Sequence, residues 1–200
     1  MSDYIIGVDE VGRGSLVGSV IICAFRSKDA LFDLLPFSVR DSKKINKKQR
    51  EKIYNYFYTN KNLNYSYKIT FGKKKDIEKF NIHKVVLQSM STAIKAISKS
   101  SDKIIIDGKF IPEDIKKFRA SSMIKADDKI NQVSAASIIA KVYRDKLISK
   151  LNLFENKYDW NKNAGYGTKN HLQAINKYGI SPFHRKTYQP ISRLIKELST

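Results

Sequence analysis

Apolar and polar positions along the chain follow two periods, one close to two and one close to 3.6. Residues 4–9 and 18–26 are short apolar runs on either side of a glycine-rich stretch, and they predict two strands joined as a hairpin. The second contains Val20-Ile21-Ile22-Cys23-Ala24-Phe25, where Cys23 reads as a core residue. Residues 27–40 are mixed and loop-like around Pro36. Asn46 is placed to cap a helix running to about Tyr58, with Tyr54, Phe57 and Tyr58 as its buried stripe. Residues 65–71 are rich in β-formers and predict a third strand. Asp76 can cap a short turn after Lys73-Lys74-Lys75, and a helix is expected over 82–98, with Val86, Met90, Ala93 and Ile97 on one face. The sulfur of Met90 reads as core filling. Residues 103–107, Lys-Ile-Ile-Ile-Asp, form a fully apolar strand of the kind found at the centre of an α/β sheet, and residues 119–125 suggest another strand.

The strongest helical pattern spans 131–151. Ala136, Ile139, Tyr143, Leu147 and Leu151 share a face, and Ser134-Ala135-Ala136-Ser137 permits close packing on a sheet. Beyond it lie a loop with Trp160, a helix over 168–178, a turn at Pro182 and a helix over 190–198. Strands early and helices later predict an α/β fold, a mixed sheet covered by helices. One domain over 1–200 is expected, with 168–200 as a C-terminal helical segment packed on it.

Charge narrows the function. The 200 residues carry 38 Lys and Arg against 19 Asp and Glu, a net charge of +19. Such a field attracts polyanions and makes their binding salt-dependent. Part of the excess reflects a Lys- and Asn-rich composition. The single cysteine excludes an intramolecular disulfide and a Cys-based zinc site. No apolar run approaches the roughly 20 residues that span a bilayer, and no secretory leader is visible. A soluble, cytoplasmic, monomeric protein with no membrane partner is expected.

Against this basic background four acids stand out. Asp9 and Glu10 end the first apolar run, directly before Gly12-Arg13-Gly14. Asp107 ends another, and Asp127 precedes the long helix in Lys125-Ala126-Asp127-Asp128-Lys129. Neighbouring residues of a strand point to opposite faces, so Asp9 and Glu10 can share a site only where the strand ends or kinks. The glycines supply that freedom. If the two strands are neighbours, three carboxylates meet, and together they are stable only with cations. Mg²⁺ suits all-oxygen donors, and two ions would position a water and stabilise the leaving oxygen of a phosphodiester. Pattern alone leaves this reading and that of unrelated surface acids both open.

The motifs occur in a familiar order. They are Gly7-Val8-Asp9-Glu10-Val11-Gly12-Arg13-Gly14, Asp41-Ser42-Lys43-Lys44, Ile106-Asp107-Gly108, Lys125-Ala126-Asp127 with Ser134 to Val142, Gly165-Tyr166-Gly167-Thr168, and His184-Arg185. With them the chain closely resembles type 2 ribonuclease H, the bacterial ribonuclease HII, over roughly residues 5–190. The resemblance implies a ribonuclease H-like fold and a two-metal endonuclease using Mg²⁺ or Mn²⁺. It implies cleavage of the RNA strand of RNA–DNA hybrids, and incision at single ribonucleotides in duplex DNA. Asp9, Glu10, Asp107 and Asp127 fall on the family's metal-binding carboxylates. Ala126 stands where the family has glycine, and Asp128 matches no family role. Ribonuclease HIII differs, with Thr in place of Arg13 and an added N-terminal domain.

The resemblance also assigns substrate contacts. The 2′-hydroxyl alone marks a ribonucleotide in DNA. In the family Gly12, Arg13 and Gly14 bring backbone groups against it, and Tyr166 matches a tyrosine that packs on the deoxyribose just beyond. Ser42, Lys43 and Lys44 are candidates for phosphate contacts, while Lys47, Lys48 and Arg50 read as a solvated face. His184 and Arg185 could reach phosphate, but packing at the site's edge is favoured. His83 and His171 carry no assignment. A replication-clamp partner is not readable. Two rival readings remain, a non-catalytic basic nucleic-acid-binding protein and a structure-selective DNA nuclease on the same fold.

Overall fold

The structure, a computed structural model, describes residues 4–39, 45–60 and 64–197. Five strands form one mixed sheet: β1 (Ile5–Val11), β2 (Val20–Ser27), β3 (Tyr65–Gly72), β4 (Lys103–Asp107) and β5 (Arg119–Met123). Their order is β3-β2-β1-β4-β5. β2 runs antiparallel to both β1 and β3, while β4 runs parallel to both β1 and β5. The expected hairpin and mixed sheet are therefore present, with β1 rather than β4 in the middle.

Alternation along the strands divides the core. Val20, Ile22 and Ala24 of β2 pack with Ile6, Val8, Ile104 and Ile106 against α3 (Lys74–Phe80) and α4 (Ile82–Lys95). On the other face Ile21, Cys23 and Phe25 meet α2 (Lys47–Thr59) and α5 (Asn131–Phe154). Cys23 is fully buried. A Cβ on Gly7 would stand 2.2 Å from the backbone of Gln132 and Val133, so glycine there lets the start of α5 lie directly on β1. A third cluster joins Leu16, Val17 and Ile148 to Tyr158, Trp160, Ile175 and Ile191. It packs α6 (Trp160–Asn163), α7 (Lys169–Tyr178) and α8 (Ile191–Glu197) against the turn after β1 and the far half of α5. No helix among the described residues is long and apolar enough to cross a membrane.

Local details depart from expectation. Residues Ala30–Asp33 form a short helix, α1, inside the segment read as loop. The Asn46 cap is a full capping box with Gln49, but the buried stripe of α2 is Ile53, Tyr54 and Phe57. Tyr58 is exposed and stacks on Tyr54. The turn at Asp76 extends into α3, whose first turn gains from that acid, and α4 ends at Lys95 rather than 98. The first strand continues through Asp9 and Glu10 to Val11, so these acids lie within β1 rather than at its end.

Candidate active site

Strand parity and register bring the acids together. Pairing between β1 and β4 runs in register to Val8 and Ile106, and the next residues are Asp9 and Asp107. The odd-numbered positions 7 and 105 face α5, so Asp9 and Asp107 fall on that same side. Asp127 arrives from a 3-10 turn, Ala126–Asp128, between β5 and α5. Asp9, Glu10, Asp107 and Asp127 line one cavity of about 320 Å³ with Val11, Arg50, Ser137, Ile138 and Lys141.

The turn that carries Asp127 is fastened to Asp107, whose Oδ1 accepts the Ala126 N–H at 2.7 Å. Ala126 is fully buried and packs with Ile105 and Val133. The left-handed residue of this turn is Lys125, at φ 58°, and Ala126 is not among the positive-φ residues. Alanine in the family glycine's place is thus accommodated without positive-φ strain.

Burial pushes the Asp9 carboxyl up to about 8, and the neighbouring charges of Glu10 and Asp107 add to the rise. The Ser137 hydroxyl and the Glu10 N–H, which donates to Oδ1 at 2.7 Å, oppose it. Glu10 is also raised by burial, and is held back chiefly by Arg13, 3.4 Å away. Among the described residues no three carboxylate, imidazole or thiol groups converge on a single point suited to one ion. The donor set is nevertheless all oxygen and mutually repelling, which fits hard divalent cations that keep several waters of their own.

Beside the carboxylates stands the Gly12-Arg13-Gly14 turn, and two buried arginines hold it. Gly12 has φ 88°, and a Cβ there would lie 2.0 Å from Nε of Arg144. Arg144, fully buried on α5, donates to the Ala164 carbonyl at 2.9 Å. Arg185, also fully buried, donates to the carbonyls of Gly18 and Arg13 at 2.8 and 2.9 Å. Packing is therefore the role of Arg185, and no phosphate could reach it. Gly14, by contrast, faces open space.

Tyr166 joins this turn through its own loop. The Gly165 carbonyl accepts the Leu16 N–H and the Ser15 hydroxyl, both at 2.9 Å. The Tyr166 ring is half-buried, 5.5 Å from the Arg144 guanidinium. His184 lies in a buried aromatic cluster with Tyr158, Trp160 and His171. His83 borders the site, with Nδ1 3.4 Å from the Arg13 guanidinium. Ser42, Lys43 and Lys44 lie outside the described residues.

Four residues at the site carry no role in the sequence reading, although two of them, Ser137 and Lys141, lie inside a quoted motif. Arg50, read as solvated, lines the carboxylate cavity. Ser137, Lys141 and Arg144 are at helical spacing, and form a polar stripe along α5 beside its apolar one. That stripe is the signal that could have found them.

Residues 6–191 match the family model of ribonuclease HII. The chain belongs to the ribonuclease HII family. A relative named ribonuclease HII from Pelagibacter ubique is 43% identical over 189 residues, covering 94% of this chain and 97% of its own. The family makes this protein a metal-dependent endoribonuclease acting on RNA–DNA hybrids. The ribonuclease H2 of Pyrococcus horikoshii OT3 shares the fold, with TM-score 0.78 at 24% identity over 98% of this chain and 99% of that one. The fold is also that of Bst-RNase HIII, solved in complex with Mn²⁺, with TM-score 0.69 at 17% identity over 98% of this chain and 70% of that one.

Proposed function

We propose that the protein incises duplex DNA on the 5′ side of single embedded ribonucleotides, as well as cutting the RNA strand of hybrids. The supporting observation is the junction of two surfaces: a cavity lined by four carboxylates, and beside it a glycine turn clamped from behind by Arg144 and Arg185. Asp9, Glu10, Asp107 and Asp127 would hold two divalent cations, Mg²⁺ or Mn²⁺. When bound, these supply the positive charge that activates water and stabilises the leaving oxygen of a phosphodiester. Hydrolysis leaves a 3′-hydroxyl on the upstream DNA and a 5′-phosphate on the ribonucleotide.

The chain's own residues select and orient the substrate. Gly12, Arg13 and Gly14 present backbone groups to the 2′-hydroxyl, and the open space in front of Gly14 admits the sugar. The Tyr166 ring packs on the next sugar, where a second 2′-hydroxyl would be crowded. That contact accounts for preference at an RNA-to-DNA junction. Arg50 and Lys141, which line the cavity, meet the phosphates flanking the cut. Ser42, Lys43 and Lys44 are proposed as further phosphate contacts on the resemblance alone. Residues 168–200 serve as part of one catalytic unit, since α7 and α8 pack on the turn that carries Arg13.

The test is a labelled DNA duplex containing one ribonucleotide, incubated with and without Mg²⁺, beside an all-DNA duplex. One metal-dependent cut 5′ to the ribonucleotide is expected. Cutting of hybrids with no incision of this duplex would refute the junction reading, and cutting of the all-DNA control would point to a structure-selective nuclease.

A further inference from the structure

The buried histidines form a directed chain that ends at Tyr166. The Ser181 N–H donates to Nδ1 of His184 at 2.9 Å. A backbone amide can only donate, so neutral His184 carries its proton on Nε2. That nitrogen lies 3.1 Å from Nε2 of His171, which also receives the indole N–H of Trp160 at 3.0 Å. With Nε2 accepting from both, His171 must hold its proton on Nδ1, and Nδ1 donates to the Tyr166 carbonyl at 2.9 Å. Both rings are fully buried, and burial pushes His184 down to about 4 and His171 below its usual range, so both are neutral near pH 7. Two fixed donors thus set the tautomers of two imidazoles in series.

We propose that His171 is a positioning residue whose Nδ1–H, held by the Trp160 and His184 contacts, sets the orientation of the Tyr166 loop toward the substrate sugar. The inference rests on the reading of Tyr166 given above. The Tyr166 carbonyl also accepts the Thr168 N–H at 2.8 Å, so the loop persists without His171 but loses its second restraint. The consequence is a graded loss of selectivity, not a loss of the carboxylate cavity, which His171 does not line.

Two variants separate the ends of the ring. In His171→Asn the side-chain amide N–H stands near the Nδ1 position and can still donate to the Tyr166 carbonyl. In His171→Gln the side-chain oxygen reaches the Nε2 position and still accepts from Trp160 and His184, but the donor to Tyr166 is gone. The readout is the ratio of kcat/KM on the single-ribonucleotide duplex to kcat/KM on an all-RNA hybrid. A purely structural role would lower both together. The expected result is a ratio about fivefold lower in His171→Gln, the worth of one hydrogen bond, and near wild type in His171→Asn. Tyr166→Ala is run in parallel. An unchanged ratio in His171→Gln beside a lowered one in Tyr166→Ala overturns the positioning role alone. An unchanged ratio in Tyr166→Ala overturns the reading of Tyr166, and the inference with it. Should either His171 variant fail to fold, nitrogen NMR of the wild-type protein decides. With three histidines in the chain, the pattern to find is one Nδ1–H ring and one Nε2–H ring in mutual contact, and an Nε2–H tautomer at His171 refutes the chain.

Discussion

Replacing Gly12 with alanine tests the packing behind the Gly12-Arg13-Gly14 turn directly. At φ 88° an alanine occupies the left-handed side of backbone space, at a cost of roughly 1–2 kcal/mol. Its Cβ would meet Arg144 Nε at 2.0 Å and Cζ at 2.8 Å, so the guanidinium must move. Arg144 has nowhere exposed to go, and moving it sacrifices the bond to the Ala164 carbonyl. A hydrogen bond from a charged donor is worth about 1.5–3 kcal/mol. Together these amount to about 3–5 kcal/mol, a large share of a typical stability of roughly 5–15 kcal/mol. At about 2–4 °C per kcal/mol for a chain of this size, melting should fall by roughly 10 °C. Gly14→Ala is the control, because nothing lies within 4 Å of its added methyl group, and its melting should match wild type within about 2 °C. Thermal melting followed by circular dichroism reads both. The double variant Gly12→Ala with Arg144→Ala should be less destabilised than the two single changes added, because the collision is removed once. A Gly12→Ala protein melting within about 2 °C of wild type, or strict additivity in the double variant, would refute the clamp.

Asp107→Asn keeps an oxygen for the Ala126 N–H, so it should fold normally and bind a ribonucleotide duplex within about threefold of wild type by fluorescence anisotropy, while cleavage falls by roughly a hundredfold or more. Near-wild-type turnover at saturating Mg²⁺ would remove Asp107 from the chemistry. Because the Asp9 carboxyl is raised to about 8 from an ordinary 3.8, the metal-free native state binds more protons than the unfolded chain between those values. Stability of the metal-free protein should therefore decline as pH rises from about 4 to 8. Asp9→Asn should flatten that slope in melting curves, and added Mg²⁺ should stabilise wild type more at pH 8 than at pH 5. At the far end of β4, Arg26 makes a bidentate pair with buried Asp102 at 2.7 and 2.9 Å. Asp102→Ala should cost about 3–5 kcal/mol in urea unfolding, yet leave kcat/KM of the folded enzyme within about twofold, since the pair is remote from the cavity.

Much of this architecture was legible because it follows local periods. The apolar run Val20–Phe25 announces a strand, the wholly apolar Ile104–Ile106 one at the middle of a sheet, and the small residues Ser134–Ser137 a helix laid close on that sheet. Asp9 and Asp107 could be paired because each follows an apolar strand, and strand parity did the rest. The observed stripe of α2 differs from the expected one because Tyr58 and Ile53 are both compatible with helical spacing, and only the tertiary packing that buries Ile53 beside Tyr54 and Phe57 selects between the two edges. Arg144 is hidden for a different reason: arginine reads as surface, and the carbonyls it meets, on Ala164 and Val17, lie 20 and 127 residues away in sequence. Packing is the favoured sequence reading of Arg185, and only its partners at Gly18 and Arg13, 167 and 172 residues away, need the structure. The histidine chain was unreadable likewise, since its direction depends on which backbone N–H meets Nδ1 of His184.

The long reach of Arg185 back to Arg13, across 172 residues, has a meaning in time. In chain order the sheet, all four acids and α5 come before Gly165 and Arg185. Until Arg185 follows, the Arg13 and Gly18 carbonyls lack their guanidinium, and until Gly165 follows, Ser15 and Leu16 lack their partner. The residues that line the carboxylate cavity are therefore synthesised before those that lock the turn beside it, and the turn is the later of the two surfaces to gain all its partners.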